Sequence, residues 1–445
     1  MSLITVTRNS TEHRTIQIVG WAIAALVILA VPFFFDETWV FSPPGVVGDY
    51  TIGMSQILLA MAWAVAVLGL NLLIGFSGQI SLGHSFFVGI GAYTAGILML
   101  DYDWGFLATL IVIVPACFLL GMIVGIPALR IKGLYLALVT LVLSVIFPTL
   151  VRLDWLASFG PDGAYGTRGS NGLNVGASYE PPGWFPVDGL SNLFQGIPLI
   201  GGIFGEGELG RRSPERIWTY FLALLIVLVM FWVAHNVIRS RVGRAFIAIR
   251  DNETGAAVSG VNVPLYKTLA FGLSSAFAGV GGMMYAFTIG ALAPDVFGLN
   301  LAIFFIVGLV LGGVATFPGA IIGGLAIVLI PELSSQWATQ NTSLAGLQVT
   351  GDRPYAGVLL GLFLIIVTFV LPGGIMAGVT RLKKAVLKVV PVPPSGVDAR
   401  GVELTEDPDD LAEGDDHETR GERVLGTEDD HVDDHVRAGE QTTGA

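Results

Sequence analysis

Long apolar stretches separated by short polar breaks dominate the chain from residue 17 to residue 376. A helix needs about 20 apolar residues to cross a bilayer, because each residue rises about 1.5 Å through roughly 30 Å of hydrocarbon. The stretches of suitable character are Gln17 to Phe35, Ile52 to Ile74, Ser81 to Leu100, Gly105 to Ala128, Gly133 to Val151, Ile217 to Ile238, Thr268 to Leu292, Leu301 to Val314, Gly319 to Leu333 and Tyr355 to Met376. They predict an all-α fold, a polytopic membrane helix bundle of about ten transmembrane helices. The eighth and ninth are short and divided only by Ala315-Thr316-Phe317-Pro318, so a broken or re-entrant pair is the alternative to two full spans. The first stretch ends in Pro32-Phe33-Phe34-Phe35, where a cleavable signal would carry small residues, and is read as a retained helix.

Charge then orients the bundle, since Lys and Arg gather in cytoplasmic loops. With the N-terminus inside and the spans alternating, 13 basic residues fall inside (Arg8, Arg14, Arg130, Lys132, Arg239, Arg241, Arg244, Arg250, Lys267, Arg381, Lys383, Lys384 and Lys388) and 6 outside. Only three acids, Glu12, Asp251 and Glu253, fall inside. Both termini are therefore expected in the cytoplasm of a multi-pass plasma-membrane protein. Joining spans eight and nine into one would put the Arg381 to Lys388 cluster outside, against the rule, so the number of spans is expected to be even.

Two long connections interrupt the bundle, an external loop over 152–216 and a cytoplasmic segment over 239–267. The membrane domain runs over 1–390. Beyond it, 391–445 carries 17 Asp/Glu against four Arg, a net of −13 in a chain of formal charge −12. So acidic a segment, with almost no aromatics, is expected to be disordered. The first 390 residues are left near +1, so the low pI implies no basic partner and nothing suggests nucleic acid. Composition agrees with the apolar pattern: 53% of residues are hydrophobic and 13% charged, against about 25% charged in an ordinary soluble domain.

The chemistry available is limited. None of the five lysines follows a glycine, so the phosphate-binding G-x-x-x-x-G-K-[ST] loop is missing and ATP hydrolysis is expected on a separate chain. Gly205-Glu206-Gly207-Glu208-Leu209-Gly210 spells a dinucleotide fingerprint, but it stands in an external loop with two glutamates that would repel a pyrophosphate. His431 and His435 lie in the acidic tail, and the lone Cys117 stands inside an apolar run, where it reads as a packing residue. No catalytic residue, metal site or cofactor is expected on this chain. The apolar stretches hold no Asp, Glu, Lys or Arg well inside their bounds, which argues against a proton-coupled carrier. It leaves open a secondary transporter that coordinates sodium through backbone carbonyls.

Polar residues concentrate in two places. Asn71 to Ser85 joins spans two and three without a fixed charge, and reads either as a glycine hairpin whose polar groups cap helix ends or as a border of the solute route through Asn71, Gln79 and His84. Gly243 to Asn262 is too long for a simple bundle connection. Its polar start, alanine-rich middle and Gly260 suit a short helix ending at that glycine, shaped to dock a soluble partner. Small residues spaced by four, such as Gly121/Gly125, Gly308/Gly312, Gly319/Gly323 and Gly357/Gly361, suit close helix packing.

The run Gly-Arg-Ala…Ala-Ile-Arg-Asp-Asn-Glu…Gly-Val-Asn over 243–262 resembles the ATPase-contacting loop of ABC importer permeases, and its spelling is similar to the branched-chain amino acid permeases of the LivM type. The hairpin from Gly75 to Phe86, Gly89 to Tyr93, Ala278 to Gly282 and Gly308 to Gly324 resemble the same family in the same order, over roughly residues 52–378. Gly255 departs from the usual alanine. The resemblance implies a permease subunit working with a second, paralogous permease, two ATP-binding subunits and an extracytoplasmic solute-binding protein. It implies contact with the ATPase through Arg250, Asp251, Glu253 and Gly260. A urea or short-amide permease shares this kind of signature.

Overall fold

A computed structural model describes residues 51–128, 134–158, 165–176, 214–340 and 373–390, with shorter pieces at 4–7, 26, 28–32, 39–41, 50, 343–344, 347–348 and 361. Each of the second to ninth predicted spans is a helix. These are α1 (Met54–Leu70), α2 (His84–Asp101), α3 (Phe106–Ala128), α4 (Leu134–Val151), α5 (Pro214–Arg239), α8 (Val263–Ile289), α9 (Leu299–Gly312) and α10 (Phe317–Gln340). Between α5 and α8 lie α6 (Arg241–Asp251) and α7 (Glu253–Val258), and α11 (Gly374–Val386) follows α10. Most of the first and tenth predicted spans, and the whole acidic tail, lie outside the described residues.

Apolar helices form here because hydrocarbon offers no partner to a peptide group, and a helix satisfies nearly all of them internally. Among the described residues, α1 with its continuation to Phe76, α3, α5 and α8 are long and apolar enough to cross a membrane. The third, fifth, eighth and ninth predicted spans form shorter or less apolar helices. Packing separates the centre from the rim. In its most apolar stretch α8 is 89% buried, against 22% for α3. α8 lies against α1, α2 and α3, while α3, α4 and α5 show Ile111, Ile123, Leu138, Leu228 and Trp232 outward. The centre holds aromatic contacts, with Trp63 stacked on Tyr285 and edge-on to Phe305, each at 5.2 Å.

The small residues at four-residue spacing mark close helix approaches. A Cβ on Gly312 would collide with the Gly319 carbonyl, and one on Gly323 with that of Gly308, so α9 and α10 touch backbone to backbone. With 14 residues α9 reaches only about 21 Å, less than the hydrocarbon thickness. α1 and α10 are pinned at one end, where Thr51 and Gln336 exchange two hydrogen bonds of 2.7 and 2.8 Å.

Part of the long 152–216 loop has regular structure. Asp154–Ala157 forms one helical turn, and Leu173–Asn174 pairs antiparallel with Ala291–Leu292 beyond the end of α8. The Asp101 carboxylate, 2% exposed, accepts from Arg168 at 2.7 Å and from the Gly166 N–H at 2.9 Å. Residues 165–176 are thereby fastened over the ends of α2 and α8.

Candidate functional site

The segment after α5 folds as an arm held against the bundle. Ser240 opens α6, its hydroxyl accepting the Val242 N–H at 3.1 Å, which satisfies an otherwise orphan donor of the first turn. One face of α6 buries Ala245, Phe246 and Ile249, and Phe246 joins Leu73, Leu136 and Phe271 in a common cluster. The opposite face exposes Arg241, Arg244 and Arg250. The single helix expected up to Gly260 is two helices, because Asn252 adopts an extended backbone (φ −156°) and its side chain caps α7 by accepting the Gly255 N–H at 2.9 Å. An Asn side chain offers the backbone this alternative to continuing the helix. α7 stops at Val258, and Gly260, at φ +84°, makes the turn toward α8.

The hairpin between α1 and α2 begins with a π-helical turn over Asn71–Phe76, where the Ser77 N–H reaches the Leu72 carbonyl five residues back. Asn71 is fully buried and bridges to the turn joining α9 to α10. Its Oδ1 accepts the Ala315 N–H and its Nδ2 donates to the Thr316 carbonyl, both at 2.8 Å. Ala315 has φ +59°, a left-handed conformation that costs a residue with a Cβ about 1–2 kcal/mol. A bond between side chain and backbone inside a membrane contributes about 0.6–2 kcal/mol, so the two together offset that cost.

Gln79 donates to the Ser77 hydroxyl at 2.9 Å and to the Lys267 carbonyl at 3.3 Å. His84 Nε2 lies 2.7 Å from the Ala66 carbonyl, with its ring edge-on to Phe305. Asn71, Gln79 and His84 thus each have a backbone carbonyl as a partner, Asn71 and Gln79 around the hairpin and His84 among the interiors of α1, α8 and α9. None of these bonds caps the end of α1, the π-helical turn or the start of α2.

Two groups of residues singled out separately in the sequence prove to be neighbours. Arg250 Nη1 donates to the Gly75 carbonyl at 2.9 Å, while Nε and Nη2 hold Asp251 Oδ1 at 3.0 and 2.9 Å. Gly78, at φ +73°, lies so close that an added Cβ would stand 2.9 Å from Arg250 Cγ. Glu253 pairs with Lys267 at 2.8 Å. Arg250, expected to face a soluble partner, therefore turns one end of its guanidinium back into the bundle. Val258 is 85% exposed at the tip of the arm. The sequence pattern did not single it out, and an apolar residue ending an alanine-rich helix of an exposed arm was the available signal.

Residues 54–368, which include α1 through α10, match the profile of the family described as the branched-chain amino acid transport system permease component. The chain belongs to that family. It is 30% identical over 281 residues to the high-affinity branched-chain amino acid permease protein LivM of Salmonella typhimurium, covering 62% of either chain. With LivM of Escherichia coli it shares 29% over 317 residues, 70% of this chain and 67% of that one. The autoinducer 2 import system permease protein LsrC of Yersinia pseudotuberculosis is 29% identical over 192 residues, 38% of this chain and 53% of that protein. The match thus spans about 62% of the length of the Salmonella relative. No solved structure matches the chain.

Family membership makes the helical bundle that of a permease. Among the described residues of this permease, no three His, Cys, Asp or Glu side chains cluster to hold a metal ion. Cys117 is fully buried against Gly279, so it packs, as its apolar run suggested. Ser85 Oγ is the one buried side-chain nitrogen or oxygen atom among the described residues without a hydrogen-bond partner.

Proposed function

We propose that this chain is the membrane-spanning permease subunit of an ATP-driven importer of branched-chain amino acids. In that reading it forms half of the solute route beside a paralogous permease, with two ATP-binding subunits in the cytoplasm and a solute-binding protein outside. Both termini and the arm over 239–267 are cytoplasmic, as the distribution of basic residues suggests. The observation that carries the proposal is the arm itself: α6 is seated in the bundle by Phe246 while the α7 tip, with Val258, stands free. An ATPase cleft would receive Val258 as an apolar knob, with Asp251, Glu253 and Gly260 around it. Ridges and grooves of this kind supply the tight contact through which one subunit moves another.

The two LivM relatives favour a branched aliphatic solute. The LsrC relative, an autoinducer 2 import permease, supports an importer of another small solute as the second reading. The test is reconstitution with the ATP-binding subunits, second permease and binding protein encoded beside the gene. ATP-dependent uptake of L-leucine into proteoliposomes, abolished when residues 251–260 are scrambled, is the expected result. Normal binding of the ATPases by the scrambled chain would overturn the docking role. Uptake by the chain alone on an ion gradient would make it a secondary transporter.

A further inference from the structure

The arm is bonded to a second element that is in turn bonded to a third. Arg250 holds the Gly75 carbonyl at 2.9 Å, and Gln79 of the same hairpin holds the Lys267 carbonyl at 3.3 Å, so the hairpin is gripped by the middle of the arm and by its last residue. Four residues before Gly75, Asn71 holds Ala315 and Thr316 by two bonds of 2.8 Å. Gly75 itself has no room for a side chain, since a Cβ there would strike Asn71 Oδ1 and stand 2.7 Å from the Ala315 nitrogen. Phe76 lies against Phe317 at 5.6 Å, closing the same contact from the next residue. Every step from the guanidinium to the α9–α10 turn is thus a direct hydrogen bond, a covalent link of a few residues or a close contact.

From this geometry we infer that Arg250 is a positioning residue that locks the arm to the α9–α10 turn through Gly75 and Asn71, so that arm, hairpin and turn move as one body. The inference rests on the proposed function, because it is an ATPase that would displace the arm. It assigns Arg250 an internal task distinct from touching that partner. The left-handed Ala315, maintained by Asn71 at a cost to the backbone, fits a joint whose shape is held from outside. A coupling of this kind in other systems changes a linked equilibrium by about 5- to 150-fold.

The test uses the whole complex in proteoliposomes with L-leucine. Arg250→Ala is expected to let the complex assemble and hydrolyse ATP while solute imported per ATP falls by about tenfold, and Arg250→Lys, which keeps one donor for the Gly75 carbonyl, is expected to recover part of the loss. Import per ATP unchanged in Arg250→Ala, or loss of ATPase binding by that variant, would overturn the inference. Failure of the unaltered complex to bind ATPases or import anything would instead sink the proposed function. A second measurement needs no variant of Arg250. Spin labels at Thr254→Cys on the arm and Ile321→Cys on α10 are expected to keep one separation in nucleotide-free and ATP-bound complexes. A separation that changes between those states with Arg250 present would show that the two elements are not locked.

Discussion

The Lys267 ammonium stands 2.8 Å from the Glu253 carboxylate, joining the start of α7 to the first turns of α8. Both groups keep some access to water, with side-chain exposures of 14% and 38%. Their attraction is therefore expected to contribute no more than about 1 kcal/mol. Glu253→Lys and Lys267→Glu should each lower the melting temperature of the detergent-purified permease, and the double reversal should restore most of it. Size-exclusion recovery after heating reads the outcome; a double variant no better than the singles would refute the pairing.

At the other end of the bundle, Asp101 is nearly inaccessible and is partnered by Arg168 and the Gly166 N–H. Removing one member of a buried ion pair typically costs about 3–5 kcal/mol, and the half-buried Arg168 places this case at the lower end. Asp101→Ala should release residues 165–176 and speed limited proteolysis there. The surface pair Arg152–Asp295, at 2.7 Å, gives a control, since Asp295→Ala should change little.

Glycine packing supplies a sharper contrast. Gly312→Ala puts a Cβ against the Gly319 carbonyl, whereas a Cβ on Gly105 meets nothing within 4 Å. The first should sharply reduce the yield of monodisperse protein, and the second should leave it near that of the unaltered chain. Equal yields would show that α9 and α10 are not packed backbone to backbone.

Orientation can be read by labelling with a membrane-impermeant maleimide, because Cys117 is fully buried and should not react. In intact cells Asp154→Cys should label at once, and Val258→Cys only after permeabilisation. The reverse pattern would invert the proposed topology.

The helices were legible because their apolar runs have the length a bilayer demands, and Met54–Leu70 and Val263–Ile289 fall within a few residues of the predicted spans. The break at Asn252 was not, since its extended backbone competes with a helix-compatible sequence on either side and is decided by a local cap. The joining of Arg250 to Gly75 was illegible for a different reason. The two are 175 positions apart, and no periodicity encodes a contact between a side chain of one loop and a carbonyl of another. Asn71 within an apolar run did signal a special role, but only the fold revealed its partner as the α9–α10 turn.

The bonds between Thr51 and Gln336 acquire a larger meaning beside those of Asn71. The same two helices, α1 and α10, are riveted at both extremities, by Gln336 at one and by Ala315 and Thr316 at the other. Sliding of one along the other would break four hydrogen bonds at once. With α9 packed on α10 backbone to backbone at Gly312 and Gly323, the three helices form a slab, and a displacement passed from the arm through the hairpin would be handed to the whole slab rather than spent inside it.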